Sequence, residues 1–495
     1  MTSPSEHRPL AVVVLAAGKG TRMKSDLPKV AHSVLGRSVV GWVLAHAAPL
    51  GADRTIVVVG HGSEAVEAVL PPGVTTAEQV SQRGSGDAVA AALPALEGFS
   101  GDVLVINGDG ALFTSTTLQA VVDEHCAHQA AASALAIRSE DPLPYGRIIT
   151  DEAGNLVRIV EAGDASPAEL AVRELNAGVY CFDADALRAA VPQLTSHNAQ
   201  GELYITDLIG ISRTAGGVTR AVVAGGEDEL LGINTRADLA EVERILQQRI
   251  NMMHMLAGVT MSQPDSILIE PTVRIEADAV ILPGSSLRGA TTIAAGAVIG
   301  PRATLVDTVV ESGASISEST CLEARVGPSA SVGPYAYLRP ETVLADGAKV
   351  GTFVELKKTR LGARSKVPHL SYIGDATVGS DSNIGAGNIT ANYRPELGRG
   401  KQPTTIGSGV RTGSDNVFVA PITIGDGSFT GAGSIIVQDV PAGSLAIARA
   451  RQVNLQDYAQ RLTQPEPPRE STGDSANRSD AADDVVQSAA TDSHD

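Results

Sequence analysis

Large rings are scarce in this chain. Of its 495 residues only 3% are aromatic, and one alone is a tryptophan, Trp42. A core without rings must be filled by Val, Ile, Leu and Ala, which makes thin, repetitive layers. Cysteine is scarcer still. Cys126, Cys181 and Cys321 stand far apart with no CxxC spacing, which argues against a disulfide framework or a zinc site and for a reducing compartment. Positive charge is in deficit: 38 Lys and Arg face 56 Asp and Glu, a net charge of −18. Phosphate backbones select basic surfaces, so nucleic acid is not the expected partner. Small phosphorylated ligands remain possible, because a few local Lys and Arg hold them. No apolar run approaches the ~18 residues of a membrane span. The opening MTSPSEHRPL has no charged segment leading into an apolar one, so no signal peptide is read. A soluble, cytoplasmic protein is expected.

The length predicts two to four domains at ~150 residues each. Residues 463–495 carry eight acidic and two basic residues and no aromatic, too little apolar surface to offset ordering entropy. A disordered acidic tail over 461–495 is expected. The first ~235 residues read as α/β. Short apolar runs such as Ala11 to Leu15, Thr55 to Val59 and Val103 to Ile106 each end in glycine, as strands buried on both faces do. Helical stretches at Val39 to Ala48 and Asp87 to Leu96 lie between them. Strand, glycine turn and helix in alternation imply a doubly wound sheet, whose ligands bind at the carboxyl ends of the strands.

Between Asp238 and Ala257, Leu239, Val242, Leu246, Ile250 and Met253 recur at three- or four-residue steps, and Thr235 with Asp238 forms a capping-box pattern. This reads as a helix connecting domains with separate cores. From Ile275 the period becomes six: Ile275, Ile281, Leu287, Ile293, Ile299, Leu305. The phase is lost, then returns at Val326 and runs through Val332, Leu338, Leu344, Val350 and Leu356, with single-residue slips before Leu361 and Val378. Such a period fits neither a helix nor long strands. It is a hexapeptide repeat, with apolar residues stacked inward in a β-helix. It resembles the left-handed hexapeptide fold of acyltransferases, which implies roughly ten coils of three hexads. Residues 387–405 break the repeat and are expected to loop out. The expected divisions are 1–236, a helical linker 237–257, 258–460 for the β-helix, and the tail.

The turn after the first strand reads Leu15-Ala16-Ala17-Gly18-Lys19-Gly20-Thr21-Arg22-Met23, followed by Pro28-Lys29. Glycines let backbone approach a phosphate, and a following helix would turn free N–H groups to it. Arg22 and Lys29 neutralise a triphosphate. The full string is similar to the signature of sugar-1-phosphate nucleotidylyltransferases. That resemblance implies nucleotide contacts at Leu15, Ala16, Ala17, Gly18 and Lys29, and base contacts at Gln79, Gly84 and Ser85. It further implies that Asn107 and Gly108 lead to a magnesium-binding Asp109, that Gly146, Glu161 and Asn176 bind the sugar, and that Asn234 is the second metal ligand. Mg²⁺ takes hard oxygens and keeps several waters. The chain departs from the pattern at Ser85 for Thr, Asp87 for His, Gly110-Ala111 for x-Pro, and Gly163 for Lys.

In the repeat, acetyl transfer to an amine needs a base near neutral pH, for which His369 is suited. Tyr372 lies three residues on, and Arg339, Lys357 and Asn383 fall at neighbouring coils, where Arg and Lys suit a sugar phosphate. The whole combination resembles the bacterial family of bifunctional N-acetylglucosamine-1-phosphate uridylyltransferase and glucosamine-1-phosphate N-acetyltransferase, over roughly residues 8 to 460. The resemblance implies that His369 is the base and that Arg339, Lys357, Tyr372 and Asn383 bind glucosamine-1-phosphate. It assigns acetyl-CoA to Ala386, Asn392, Tyr393, Ser414, Ala432 and Arg449. It also implies UTP, Mg²⁺ and a homotrimer. Arg394-Pro395 replaces the usual Asp-Gly of the insert, and Lys401 stays outside the set. Two other readings stay open: the same architecture acting on another amino sugar or nucleotide, and a regulatory scaffold without chemistry.

Overall fold

The computed structural model describes residues 8–141 and 143–463. The expected disordered tail falls, from residue 464 on, outside the described residues. Two compact units divide at Ala448/Arg449; the second carries the helix Tyr458–Thr463.

The first sheet has nine strands: β1 (Leu10–Leu15), β2 (Arg54–Val59), β3 (Thr75–Glu78), β4 (Asp102–Asn107), β5 (Ala132–Arg138), β6 (Arg147–Thr150), β7 (Leu156–Val160), β8 (Glu174–Asp183) and β9 (Thr219–Val223). Their order is β9-β5-β8-β4-β1-β2-β3, with β6 pairing off β8 and β7 pairing β6. Strand β1 is parallel to β2 and β4, and β8 runs antiparallel to β4 and β5. The apolar run of β1 has no polar alternation because both faces are covered. Leu10, Val12 and Val14 enter a core with α1 (Val39–Ala47) and α3 (Ser115–Ala127). Ala11 and Val13 enter a second core with α2 (Ser85–Ala92). The helix expected up to Leu96 stops at Ala92 and tightens into a 3₁₀ turn, Leu93–Leu96, that contains Pro94.

Helix α4 (Arg236–Leu256) starts at the expected capping box: the Thr235 hydroxyl accepts the Asp238 N–H, and Asp238 Oδ2 accepts the Thr235 N–H at 2.8 Å. Val242, Leu246 and Ile250 are buried as their spacing predicts, but Met253 is exposed. Asn251 and His254 take the buried places at that end, the Asn251 amide donating to the carbonyls of Pro264 and Ile267. The expectation of separate cores is overturned here. One continuous cluster joins Met23, Val34, Trp42, Leu112 and Ile233 to Val242, Leu246 and Ile250, and these to Ile267 and Ile269. An amphipathic stripe specifies burial without specifying the neighbour, and this helix buries its stripe between both halves.

The remainder is a left-handed parallel β-helix, its short strands stacked in three parallel sheets of seven, ten and nine. Every inward hexad position named above is buried except Ile275, which is half-buried. Where the phase is lost, the coil continues through Val310, Ile316 and Cys321, all buried. Leu305 stacks on Cys321 there, two residues short of a full coil. The insert is smaller than expected. Ile389–Ala391 and Thr404–Ile406 stay in the sheets, so only the residues between them loop out, pinned by a bridge between Tyr393 and Lys401 and by the Lys401 ammonium 4.3 Å over the Tyr393 ring.

Candidate active sites

Leu15 pairs with Asn107, so the turns after β1 and β4 leave the sheet at one edge. Gly108 is required there: a Cβ would lie 2.6 Å from the Leu15 carbonyl oxygen. Gly20, with φ 59°, lets the Gly-rich turn pass close to Lys29. Lys29 Nζ donates to Asp109 Oδ2 at 2.6 Å and to Asn234 Oδ1 at 3.3 Å, while Arg22 donates to the same Asn234 oxygen at 2.9 Å. Asp109 and Asn234, distant in sequence, therefore converge on one positive charge. Two hard oxygens so placed fit a divalent cation that keeps waters and takes phosphate oxygens for the rest. No group of three or more His, Cys, Asp or Glu is gathered for a metal among the described residues. The helix expected right after the glycines is absent: a 3₁₀ turn, Thr21–Met23, stands there, and α1 begins only at Val39. Arg22 and Lys29 thus supply the positive charge that a helix N-terminus was expected to share.

Two cavities meet at this edge. Leu15, Ala17, Gly18, Gln79, Gly84, Ser85 and Asn107 line one; Ser85, Asn107, Asp109, Gly146, Glu161, Asn176 and Asn234 line the other. Ser85 and Asn107 belong to both. The set expected to bind a base and the set expected to bind a sugar thus lie at either end of one slot. Ala16 is turned to β2, its N–H on the Val58 carbonyl at 2.8 Å. The Ser85 hydroxyl accepts the Ile205 N–H at 3.1 Å, and Asn176 donates to the Tyr180 hydroxyl at 2.8 Å. Burial pushes the Glu161 carboxyl up; a Thr206 hydrogen bond opposes this, and Asp164 and Asp207 reinforce it. Gly163 supplies no cation to offset them, and its Cβ direction is open space. Gly110 has a local reason, since a Cβ would lie 2.1 Å from the Phe113 ring. Gln82, Phe113 and Tyr180 also line these cavities and escaped the sequence reading, because no motif spacing marks them.

In the β-helix, one corner carries a ladder. The N–H of Gly387 donates to the His369 carbonyl, that of Asp415 to Ala386, and that of Gly433 to Ser414. His369, Ala386, Ser414 and Ala432 therefore stack on successive coils along one edge, ~4.8 Å apart. The His369 side chain is exposed at its end. Behind the edge, the Asn388 amide donates to the carbonyls of Gly385 and Gly413, and the Asn416 amide to those of Ser414 and Gly431. These buried clamps hold the corner's shape and were not foreseen. Across the ten-stranded sheet, Arg339 pairs with Glu355 at 2.9 Å and Lys357 with Asp375 at 3.6 Å. The Asn392 amide donates to Asp375 Oδ2 at 2.7 Å and lies 3.4 Å from the Tyr372 hydroxyl. The expected cluster is incomplete on one point. Asn383 bridges Lys366 and Arg411, in line with the seven-stranded sheet, and lines a groove with them and Arg364. Neighbouring coils project side chains from different faces, so Asn383 does not join Arg339, Lys357 and Tyr372 within one chain. Arg449 opens the second unit.

The profile of the MobA-like NTP transferase domain matches residues 12–200. Bifunctional protein GlmU of Streptomyces coelicolor is 48% identical over 92% of this chain and 95% of its own length. Those of Brevibacillus brevis and Corynebacterium glutamicum are 47% and 45% identical, over 91% of this chain and 97% and 94% of their own. The chain belongs to the bifunctional GlmU family. The likeness to GlmU proteins runs through both halves, so the slot on the sheet and the corner of the β-helix both fall within it. A solved structure titled a putative glucose-1-phosphate thymidylyltransferase from Bacillus anthracis aligns with 48% of this chain and 94% of its own, at 19% identity and a TM-score of 0.41; at that level it adds nothing to the fold read from the strand order.

Proposed function

We infer that the chain is a bifunctional enzyme making UDP-N-acetylglucosamine in two steps. The amine of glucosamine-1-phosphate attacks the thioester carbonyl of acetyl-CoA. The new C–N bond replaces the C–S bond, His369 accepts the amine proton, and the coenzyme leaves as its thiol(ate). The phosphate of N-acetylglucosamine-1-phosphate then attacks the α-phosphorus of UTP. A P–O bond forms as another breaks, and pyrophosphate leaves. No protein nucleophile is needed. The observation that carries this reading is the presence, in one member of a bifunctional family, of both constellations: the convergent Lys29, Asp109 and Asn234 at the slot, and the His369 ladder on the β-helix.

In the slot, Leu15 to Gly18, Gln79 and Gly84 take the nucleotide, and Gly146, Glu161 and Asn176 take the sugar. Arg22 and Lys29 stabilise charge developing on the phosphates. Asp109 and Asn234 would hold Mg²⁺, which when bound shields phosphate charge. On the β-helix, Arg339, Lys357 and Tyr372 hold the sugar phosphate. Acetyl-CoA runs along the ladder past Ala386, Ser414 and Ala432, with Asn392 and Tyr393 beside it; Arg449 is assigned to the same ligand on the resemblance alone. Asn383 completes the site from a second copy, and closed symmetry then gives a homotrimer with three equal sites; the separation of Asn383 from Arg339 and Lys357 supports this. The divisions 1–236, 237–257, 258–460 and 461–495 belong to the same proposal, as does a cytoplasmic location. For the membrane, the structure adds that no described helix is long and apolar enough to cross one.

The test is a split of activities. Asp109→Ala or EDTA should abolish uridylyl transfer and spare acetyl transfer, and His369→Ala should do the reverse. Loss of both activities in either folded variant would contradict the assignment.

A further inference from the structure

Asp87 stands behind the wall of the first cavity, and Gln79 forms part of that wall. Both side chains are more than nine-tenths buried. Gln79 Nε2 donates to Asp87 Oδ2 at 2.9 Å and to the Gly84 carbonyl at 3.1 Å, so both of its hydrogens are used. The second Asp87 oxygen, Oδ1, receives Arg83 Nε at 3.1 Å and a terminal guanidinium nitrogen at 2.7 Å. Burial pushes the Asp87 carboxyl up, but the hydrogen bonds of Gln79 and Arg83 outweigh it and hold it below the ordinary carboxylate range. An ionised carboxylate and a peptide carbonyl only accept. The amide nitrogen of Gln79 must therefore face them, and its Oε1 is left over as a pure acceptor. Turning the amide round would set its oxygen against a carboxylate and a carbonyl in a buried place, leaving acceptors facing acceptors with no hydrogen between them.

We propose that Asp87 is a specificity-determining residue: it locks Gln79 with Oε1 toward the bound base and so demands a ring N–H there. Uracil carries a hydrogen on N3, whereas cytosine carries a lone pair on the same atom. Asp87 thus selects UTP over CTP without touching either. The proposal rests on the reading of this cavity as the base end of the uridylyl-transfer site. A motif match at Gln79 alone leaves the amide free to turn, and Asp87 removes that freedom.

The experiment measures kcat/KM for UTP and for CTP, with N-acetylglucosamine-1-phosphate, in the full-length enzyme. Acetyl transfer by the same chain serves as the folding control. Asp87→Asn replaces an acceptor-only group with one that also donates, so Gln79 can present either end. The UTP-to-CTP ratio should fall by about tenfold or more, with acetyl transfer within about twofold. Gln79→Met removes the acceptor itself and should lower the ratio likewise. Adding Asp87→Asn to Gln79→Met should then lower it no further, since the two act as one unit. Equal losses for both nucleotides in Asp87→Asn, with the ratio kept, would make Asp87 merely structural and overturn the proposal. A ratio unmoved by Gln79→Met, or a further fall in the double variant, would overturn it too. A wild-type enzyme that does not use UTP at all would instead overturn the functional reading beneath it.

Discussion

Gly178→Ala should silence one reaction and leave the other untouched. Gly178 has φ 80°, and a Cβ built on it lies 2.2 Å from Asn107 Nδ2. Two effects follow. Holding an L-residue in the left-handed region costs about 1–2 kcal/mol. The Asn107 side chain must also withdraw by about 1 Å to reach ordinary contact distance. Asn107 sits where the two cavities of the slot join, and a 1 Å misplacement of a positioning group costs about 100-fold in rate. Gly154 provides the control, with φ 78° and nothing within 4 Å of its Cβ direction. Gly154→Ala carries the backbone strain alone, so both variants should lose similar stability. Only Gly178→Ala should lose about 100-fold in uridylyl transfer, measured as pyrophosphate release, with acetyl transfer within about twofold. Equal uridylyl rates in the two variants would refute the crowding argument. A parallel loss of acetyl transfer in Gly178→Ala would show that the damage is not local.

Mixing His369→Ala with Asn383→Ala chains should restore some acetyl transfer, because a mixed assembly holds one intact set; no recovery in proven mixed trimers would place both residues in one chain's site. A fragment ending at residue 258 is expected to lose stability, measured by thermal melting, since Val242, Leu246 and Ile250 would lose the cover of Ile267 and Ile269. Leu246→Ala in the full chain should cost about 2–5 kcal/mol and lower the inactivation temperature of both activities; a shift in one alone would refute the shared core. Burial, with Arg249 and Arg37 adding, lowers the His46 pKa from 6.5 to about 4. Its folded form stays neutral where the unfolded chain takes up a proton, so its contribution is whole above pH 6.5 and is lost as pH falls toward 4, by about 3 kcal/mol. On acidification wild type should therefore lose thermal stability relative to His46→Phe, and a difference between the two melting temperatures that does not move with pH would refute this.

The β-helix was legible because its inward positions admit little but buried aliphatic side chains, so the spacing of Ile281 to Leu305 carries the fold directly. It went silent between Leu305 and Val326 where coils drop residues at their corners, although Val310, Ile316 and Cys321 keep the stack. The capping box of Thr235 and Asp238 was legible for the same local reason. What lies on the far side of α4 was not, since amphipathicity names no partner. At the slot, the glycine string and the Asn107 to Asp109 turn are local and could be read. The convergence of Asn234 on Lys29 needed the resemblance to suggest it, and the parts played by Phe113, Asp87 and Asp375 exist only in three dimensions. The separation of Asn383 from Arg339 was hidden because positions on neighbouring coils share a period without sharing a face.

One chain performs both steps. Purified full-length protein, incubated with glucosamine-1-phosphate, acetyl-CoA, UTP and Mg²⁺, should form UDP-N-acetylglucosamine, free coenzyme A thiol and pyrophosphate, followed together by mass spectrometry and thiol release. Omitting acetyl-CoA should stop the nucleotide sugar, and supplying N-acetylglucosamine-1-phosphate should restore it. Thiol release without any UDP-N-acetylglucosamine, or no reaction of either kind, would contradict the account.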